Sequence, residues 1–200
     1  MIAIWGAKST IAFEMGRLIP SAEDAEIVAH DAPLEFKRRT GGRYLICIGK
    51  LLPKTAAEMT FAERRSIEVS NYLTPKEIIC KVLFADPAAR ICVIGSESAY
   101  LGSYCQPYAD AKAKLHNFVE TTRLVFPKQQ LVCISPTIIE DARMTTDRDD
   151  QEDVARRAKE HPKARFLKSI EVAKLAHHCL YVDDGYLSGV VIRMNGGGHT

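Results

Sequence analysis

Between Arg90 and Arg123 an apolar run, Ile91-Cys92-Val93-Ile94, stops at Gly95 and Ser96. A polar stretch containing Gly102 follows, and a segment of helical period begins near Pro107. Strand, glycine-containing loop, helix is a demanding order. It asks for a sheet strand whose carboxyl end feeds a helix packed back on the sheet. Tyr108 and Lys112 lie four apart on that helix, so both project from one face, and Leu115, Phe118 and Val119 continue the apolar period behind them. Folding the loop over the strand end brings Ser96 to the same spot.

A hydroxyl, a phenol and an ammonium in one place can do proton chemistry on a carbonyl or an alcohol. A free phenol has a pKa of about 10, too high for a base near neutrality. A neighbouring ammonium favours phenolate, and about 1.4 kcal/mol of such attraction makes the phenol tenfold more acidic. Lys112 is therefore expected to tune Tyr108 downward for acid/base work, and Ser96 to hydrogen-bond the substrate oxygen where charge develops. The chain holds a second Tyr-x-x-x-Lys, Tyr72 and Lys76. There, Thr74-Pro75-Lys76-Glu77 reads as a helix start with Thr74 as the cap, which places Tyr72 outside the helix and off the Lys76 face.

Ile94-Gly95-Ser96, Gly102 and Tyr108-Ala109-Asp110-Ala111-Lys112 together resemble the active-site segment of the short-chain dehydrogenases/reductases. The resemblance implies that Tyr108 is the catalytic acid/base. It implies that Lys112 binds the nicotinamide ribose and lowers the Tyr108 pKa, and that Ser96 orients the substrate carbonyl. The family often completes this set with an Asn at a helix kink, acting through a water. Strict register puts Ser70 at that place; the adjacent Asn71 is the residue preferred here.

The two ends of the chain extend the likeness. Met1 to Trp5 reads as a strand, Gly6-Ala7-Lys8-Ser9 as a turn, and Thr10 to Ile19 as a helix capped by Ser9 and stopped at Pro20. Strand, turn, helix opens a dinucleotide-binding unit, with Gly6, Lys8, Ser9, Thr10 and Ile11 expected at the pyrophosphate. The glycine motif is degraded: Thr10 and Ala12 stand where the family has its second and third glycines. A second strand, Glu26 to Ala29, ends at His30-Asp31, and Asp31 is placed to accept from the adenosine ribose, favouring NAD over NADP. Lys8, Arg38 or Arg39 could instead meet a 2′-phosphate. Asp31 to Gly42 is too short for the helix, strand and helix that family members usually carry there, so the chain reads as a trimmed member lacking one strand–helix unit. Tyr44 to Ile48 is the next strand, and Gly49 matches the family's glycine at its end. Pro136-Thr137-Ile138-Ile139 resembles the turn beside the nicotinamide, with Pro136 and Ile139 as cofactor neighbours. The charged stretch Glu140 to Lys163 corresponds to a substrate lid. Leu187 to Gly197 resembles the family's terminal signature, with Asn195 in place of Asp.

Composition narrows the partners. The 200 residues are 46% hydrophobic and 26% charged, with a net charge of +2, which gives no reason to invoke nucleic acid or an anionic membrane. No apolar run reaches the ~20 residues needed to span a bilayer. The six cysteines occur singly, and Cys47, Cys80, Cys92 and Cys133 sit in apolar runs, as buried free thiols do; a reduced, cytoplasmic protein is expected. Gln130 to Ser135 reads as another strand, and Ser169 as the cap of a helix from Ile170 to Tyr181. On that helix His177 and His178 are adjacent and point to different faces, so no metal site is expected.

The expected architecture is one α/β domain spanning residues 1–200, Rossmann-like and doubly wound, with about six mainly parallel strands and helices on both faces. The expected function is NAD(P)-dependent interconversion of a carbonyl and an alcohol in a small-molecule substrate, by a homo-oligomer (dimer or tetramer) as the family resemblance implies. The rival is a catalytically lapsed nucleotide-binding or regulatory protein, which the lost glycines favour. A lyase or isomerase using the same tyrosine is a third reading.

Overall fold

Alternation along each short strand decides the architecture. Ile91 and Val93 face one side of the sheet and Cys92 and Ile94 the other, and both sets are buried. A strand apolar on both faces must be covered twice, which is the parallel, helix-flanked solution. The computed structural model, which describes residues 2–6, 8–19, 25–28 and 40–198, has six strands: β1 (Ile2–Trp5), β2 (Ala25–Val28), β3 (Arg43–Ile46), β4 (Arg90–Ile94), β5 (Gln130–Pro136) and β6 (Val190–Met194). Their order is β2-β1-β3-β4-β5-β6, with every neighbouring pair parallel.

Two layers of helix close the sandwich. One core joins Ala3, Tyr44, Val93 and Leu131 of the sheet to Ile78, Ile79 and Val82 of α3 (Thr74–Ala85) and to Leu115 and Val119 of α5 (Gln106–Thr121). The other joins Ile4, Leu45, Ile94 and Ile134 to Ile11, Ala12 and Met15 of α1 (Thr10–Leu18) and to Val172, Ala173 and Ala176 of α8 (Ser169–His177). Fully burying each such Ile, Leu or Met is worth roughly 1.5–3 kcal/mol. The remaining helices are α2 (Phe61–Glu68), the single-turn α4 (Ser98–Leu101) and α6 (Arg143–Thr146), and α7 (Gln151–Glu160). The last two make up the charged stretch.

The chain leaves β1 for β2 on one side and returns to β3 on the other. The strand order therefore reverses at β1, which is where open parallel sheets form a crevice outside the carboxyl ends of their strands, here β1, β3 and β4. Gly6, Cys47 to Gly49, and Gly95 to Ser96 follow those three strands directly. Asp31, His30, Arg38 and Arg39 lie outside the described residues, so the expected ribose contact is not placed. Among the described residues, β1 sits directly between β2 and β3, with no strand from the shortened region between them.

Four local expectations need correction. Thr74 does not cap a new helix: α2 runs through a π-helical turn (Val69–Leu73) straight into α3, and Leu73 and Thr74 both have helical backbone. Pro75 has no N–H to give the carbonyl four residues back, so the chain widens by one residue there instead of stopping. Tyr72 and Lys76 consequently do meet, with Lys76 Nζ 5.6 Å from the Tyr72 ring centre. Ser9 holds the N-cap position of α1, but its side chain does not cap the helix. Ser169 is the first residue of α8, not its cap, and its N–H is satisfied by Asp141 Oδ1 at 2.9 Å. Cys80 is exposed, on the outer side of α3, and Cys47 is half-buried, whereas Cys92 and Cys133 lie in the core as expected.

Candidate active site

Ser96 begins where β4 runs out. Ile94 is the last sheet residue, and Gly95 keeps the chain in plane by donating its N–H to Ile134 O at 2.7 Å. The Ser96 hydroxyl accepts from Ser98 N at 3.2 Å and lies beside the Tyr108 phenol, on which it acts to lower the pKa. Tyr108 and Lys112 stand one turn apart on α5, both turned inward, with relative exposures of 8% and 3%. The Tyr108 ring packs on Met59, Ile67 and Cys105. Lys112 Nζ donates to Ile94 O at 2.9 Å and lies 5.9 Å from the Tyr108 ring centre. Serine, tyrosine and lysine thus converge at the end of β4, with Lys112 fixed there by its bond to Ile94 O.

The electrostatics differ from the sequence expectation. Burial pushes the Tyr108 phenol up; the neighbouring Ser96 hydroxyl lowers it, but not enough to reverse the direction. Lys112 does not pull it down in this geometry. Burial instead lowers Lys112 itself, from 10.5 to about 8. The physical reason is that the ammonium is committed to the Ile94 carbonyl, and desolvation weighs on both groups. At neutral pH the site holds a protonated phenol beside a cation that is close to losing its charge.

Asn71 joins this group through the π-helical turn. It is completely buried, its Nδ2 donates to Lys50 O at 2.7 Å and Ile67 O at 2.9 Å, and its Oδ1 accepts from Lys50 N at 3.2 Å. Ser70 is also buried but makes no such link across to the strand end. Gly49 sits between Asn71 and Lys112. A Cβ there would lie 3.2 Å from Asn71 Oδ1, 3.6 Å from Met144 Cε and 3.9 Å from Lys112 Nζ. The glycine leaves a slot bordered by all three.

Across the crevice, Gly6 has φ +102°, and a Cβ on it would fall 2.7 Å from Cys47 O, so the turn needs glycine. The first turn of α1 carries no acidic residue and no side-chain cap. Its amides and dipole are therefore available to an anion, and the turn fits a pyrophosphate on that ground. Thr10 Oγ1 is 2.6 Å from Ser169 Oγ, which turns it toward α8. Lys8 is exposed and the Ser9 hydroxyl lies near the Cys47 thiol. Ile11 puts its side chain in the core, leaving only its main chain for a ligand. Pro136 is buried at the end of β5, and its carbonyl accepts from Glu97 N at 2.9 Å. Ile139 pairs with Leu167 and buries its side chain in the α1/α8 core, so the expected apolar neighbour of a carboxamide is largely turned inward.

Two features carry no motif in the sequence. Glu97, only 2% exposed, accepts from Ser135 Oγ at 2.7 Å and pairs with Arg193 at 2.5 Å, tying the loop after β4 to β5 and β6. Arg193 in turn lies 4.3 Å over the Tyr100 ring. His116, eight residues beyond Tyr108, packs beneath Gly95 and Ser96. The 108, 112, 116 spacing was the one available sign of it. No group of three His, Cys, Asp or Glu suited to a metal occurs among the described residues, and no helix there is long and apolar enough to cross a membrane.

No family model and no curated protein sequence matches this chain. Its structure, however, is similar to many solved ones. A short-chain dehydrogenase/reductase described as glucose/ribitol dehydrogenase, from Brucella melitensis, superimposes with a TM-score of 0.82 at 20% identity, over 98% of this chain and 95% of that one. A short chain dehydrogenase family protein from Francisella tularensis gives 0.79 at 14% identity, over 98% and 97%. A small-chain dehydrogenase in complex with NADPH gives 0.80 at 13% identity, over 98% and 96%. At these identities the likeness establishes the fold.

Proposed function

We propose that this chain, which has the fold of the short-chain dehydrogenases/reductases, is an NAD(P)-dependent oxidoreductase that interconverts a carbonyl and an alcohol in a small molecule. The observation that carries the reading is the buried Ser96 and Tyr108 side by side, with Lys112 one helical turn on and bonded to Ile94 O, at the strand ends that also hold the Gly6 turn. In this reading the uncapped first turn of α1 holds the pyrophosphate, and Lys112 and Gly49 border the nicotinamide ribose.

When bound, the nicotinamide supplies the hydride. Ser96 Oγ holds the substrate oxygen by a hydrogen bond, and Tyr108 gives that oxygen its proton. Lys112 then faces a phenolate. At about 6 Å and an effective dielectric near 20, that attraction is worth roughly 3 kcal/mol. Asn71 keeps the Lys50 main chain, and with it Gly49, in place beside Lys112. A buried phenol held protonated suits delivery of a proton to a developing alkoxide, so carbonyl reduction is the favoured direction near neutral pH.

NAD or NADP is the cofactor of this reading. The lean toward NAD is dropped: it rested on Asp31, outside the described residues, while a structural neighbour carries NADPH. A homo-oligomer belongs to the same reading, and Phe61 of α2 and Phe84 of α3, exposed by 86% and 82%, are apolar surface that a second copy could cover. One observation favours the lapsed, nucleotide-binding alternative: Thr10, at the place of a family glycine, is locked to Ser169 at the phosphate turn.

The test is a titration with NADH and NADPH read by fluorescence of Trp5, the chain's single tryptophan, next to Gly6. A carbonyl-reduction screen with Tyr108→Phe as control follows. Saturable quenching together with turnover that Tyr108→Phe abolishes upholds the reading. Quenching without turnover moves it to the lapsed protein, and no quenching by either nucleotide removes both.

A further inference from the structure

We infer that His116 is a positioning residue for the active site: its imidazole Nε2 accepts the main-chain N–H of Ser96 and thereby seats the Ser96 hydroxyl against Tyr108. Its bearing on catalysis rests on the oxidoreductase reading; the hydrogen bond itself does not.

Three independent features meet here. First, His116 continues the inward face of α5 already occupied by Tyr108 and Lys112, so one rigid helix presents the phenol, the ammonium and the imidazole in successive turns. Second, Nε2 lies 3.3 Å from Ser96 N, with the donor belonging to Ser96 itself, and the ring is 96% withdrawn from solvent. An apolar side chain of similar size would fill the same volume but would leave that amide buried and unpaired. Third, the strand end is shaped for the ring. A Cβ at Gly95 would collide with His116 Nε2 and lie 2.8 Å from Cys133 Sγ, so glycine at 95 is what lets the imidazole reach the chain. The Tyr100 ring, 5.2 Å away centre to centre, covers the other side.

Because Nε2 accepts, the ring must be neutral with its proton on Nδ1, a buried atom with no hydrogen-bond partner among the described residues. The groups facing it agree. Burial, the largest influence, opposes a charge on it, as do Lys112 on the same helix and Arg193 from β6; Glu97 from the loop after β4 favours one but does not prevail, and the imidazole is lowered from 6.5 to about 4. A protonated ring would turn Nε2 into a donor facing a donor, and Ser96 would lose its seat.

The experiment has two parts. On the ¹⁵N-labelled wild-type protein, scalar coupling across the hydrogen bond is read between the Ser96 amide nitrogen and His116 Nε2. A resolved coupling at pH 7 with the Nδ1–H tautomer, vanishing as the pH approaches about 4, supports the inference. A missing coupling, or the Nε2–H tautomer at pH 7, overturns it whether or not the protein is a reductase. The second part compares His116→Leu with His116→Gln. The leucine variant is expected to bind NADPH as the wild type does while losing roughly 10- to 100-fold in kcat. The glutamine variant, which keeps an acceptor, is expected to recover most of that. An unchanged kcat in the leucine variant, or an equal loss in both with folding intact, overturns the positioning role. A wild type that shows the coupling but no turnover upholds the Ser96 seat and refutes only the oxidoreductase reading.

Discussion

The two sides of the crevice are built on opposite principles. Beyond β4, the polar side chains of the proposed acid/base set are buried, and most are bonded to main chain: Lys112 to the Ile94 carbonyl, Asn71 to both main-chain groups of Lys50, Ser96 to the Ser98 amide. Beyond β1, the side chains turn away. Ile11 goes into the core and Thr10 to Ser169, and apart from the exposed Lys8 what remains toward the crevice is largely main chain around Gly6. Proton transfer needs atoms held to a fraction of an ångström, and buried hydrogen bonds supply that. Holding a phosphate needs free amides and close approach, and side chains only obstruct it.

The comparison breaks first at Tyr108. Tyr108→Phe removes the transferable proton and is expected to lower turnover by about 10²–10⁴-fold with nucleotide affinity unchanged, as read by carbonyl-dependent NAD(P)H oxidation and by the Trp5 titration. A matching loss of nucleotide binding would show that the two sides are not separable. Gly6→Ala is the reverse test. The positive φ and the Cys47 carbonyl leave no room for a methyl group, so a loss of roughly 1–3 kcal/mol in stability is expected together with loss of nucleotide binding, measured by denaturant unfolding and the same titration.

Lys112→Met sharpens the contrast between function and stability. The Lys112 pKa is depressed on folding, so the unfolded chain binds more protons between about pH 8 and 10.5. Stability therefore rises with pH across that window, and the cost of the buried charge is felt in full below pH 8. Removing it is expected to raise the melting temperature at pH 7 by about 2–4 °C, less so at pH 10, while turnover falls. Calorimetry at the two pH values checks the sign. His116 runs in the same direction at acid pH: its depressed pKa makes the protein lose stability as pH falls from 6.5 to about 4, and His116→Gln flattens that limb of the stability profile. The smallest effect is expected at Thr10. Thr10→Gly gives up the bond to Ser169 and costs about 1 kcal/mol. If the threonine restricts the phosphate turn, nucleotide binding tightens by about tenfold, a difference of ~1.4 kcal/mol; unchanged affinity would show that the turn already admits the phosphate.

Much of this molecule was legible in its sequence because the signals were local. The apolar runs at Ile2–Trp5, Arg90–Ile94 and Gln130–Pro136 form strands within a residue or two of where they read. The spacing of Tyr108 and Lys112 sufficed to put them on one face. Local reading failed where a neighbour decided the outcome. Thr74-Pro75 has the composition of a helix start, yet α2 and α5 pack on this segment and carry the helix through it as a π-helical turn. Ser169 has the composition of a cap, yet Asp141, far away in sequence, takes that duty. Cys80 shares an apolar run with Ile78 and Ile79, but only helical phase separates the residue facing solvent from the two facing the sheet.

The sequence by itself determined a parallel, helix-covered sheet and one helix bearing a tyrosine and a lysine in register, because strand alternation and helical period are properties of neighbouring residues. Tertiary structure alone decided the charge state of that pair. Whether Lys112 lowers Tyr108 or is itself lowered depends on how much water each loses and which carbonyl the ammonium finds, and Ile94 O is eighteen residues away in the chain. Only the fold, too, brought His116 beneath Ser96 and Arg193 onto Glu97. Contacts between strand ends and helix faces have no period, and no stretch of sequence announces them before the chain has closed.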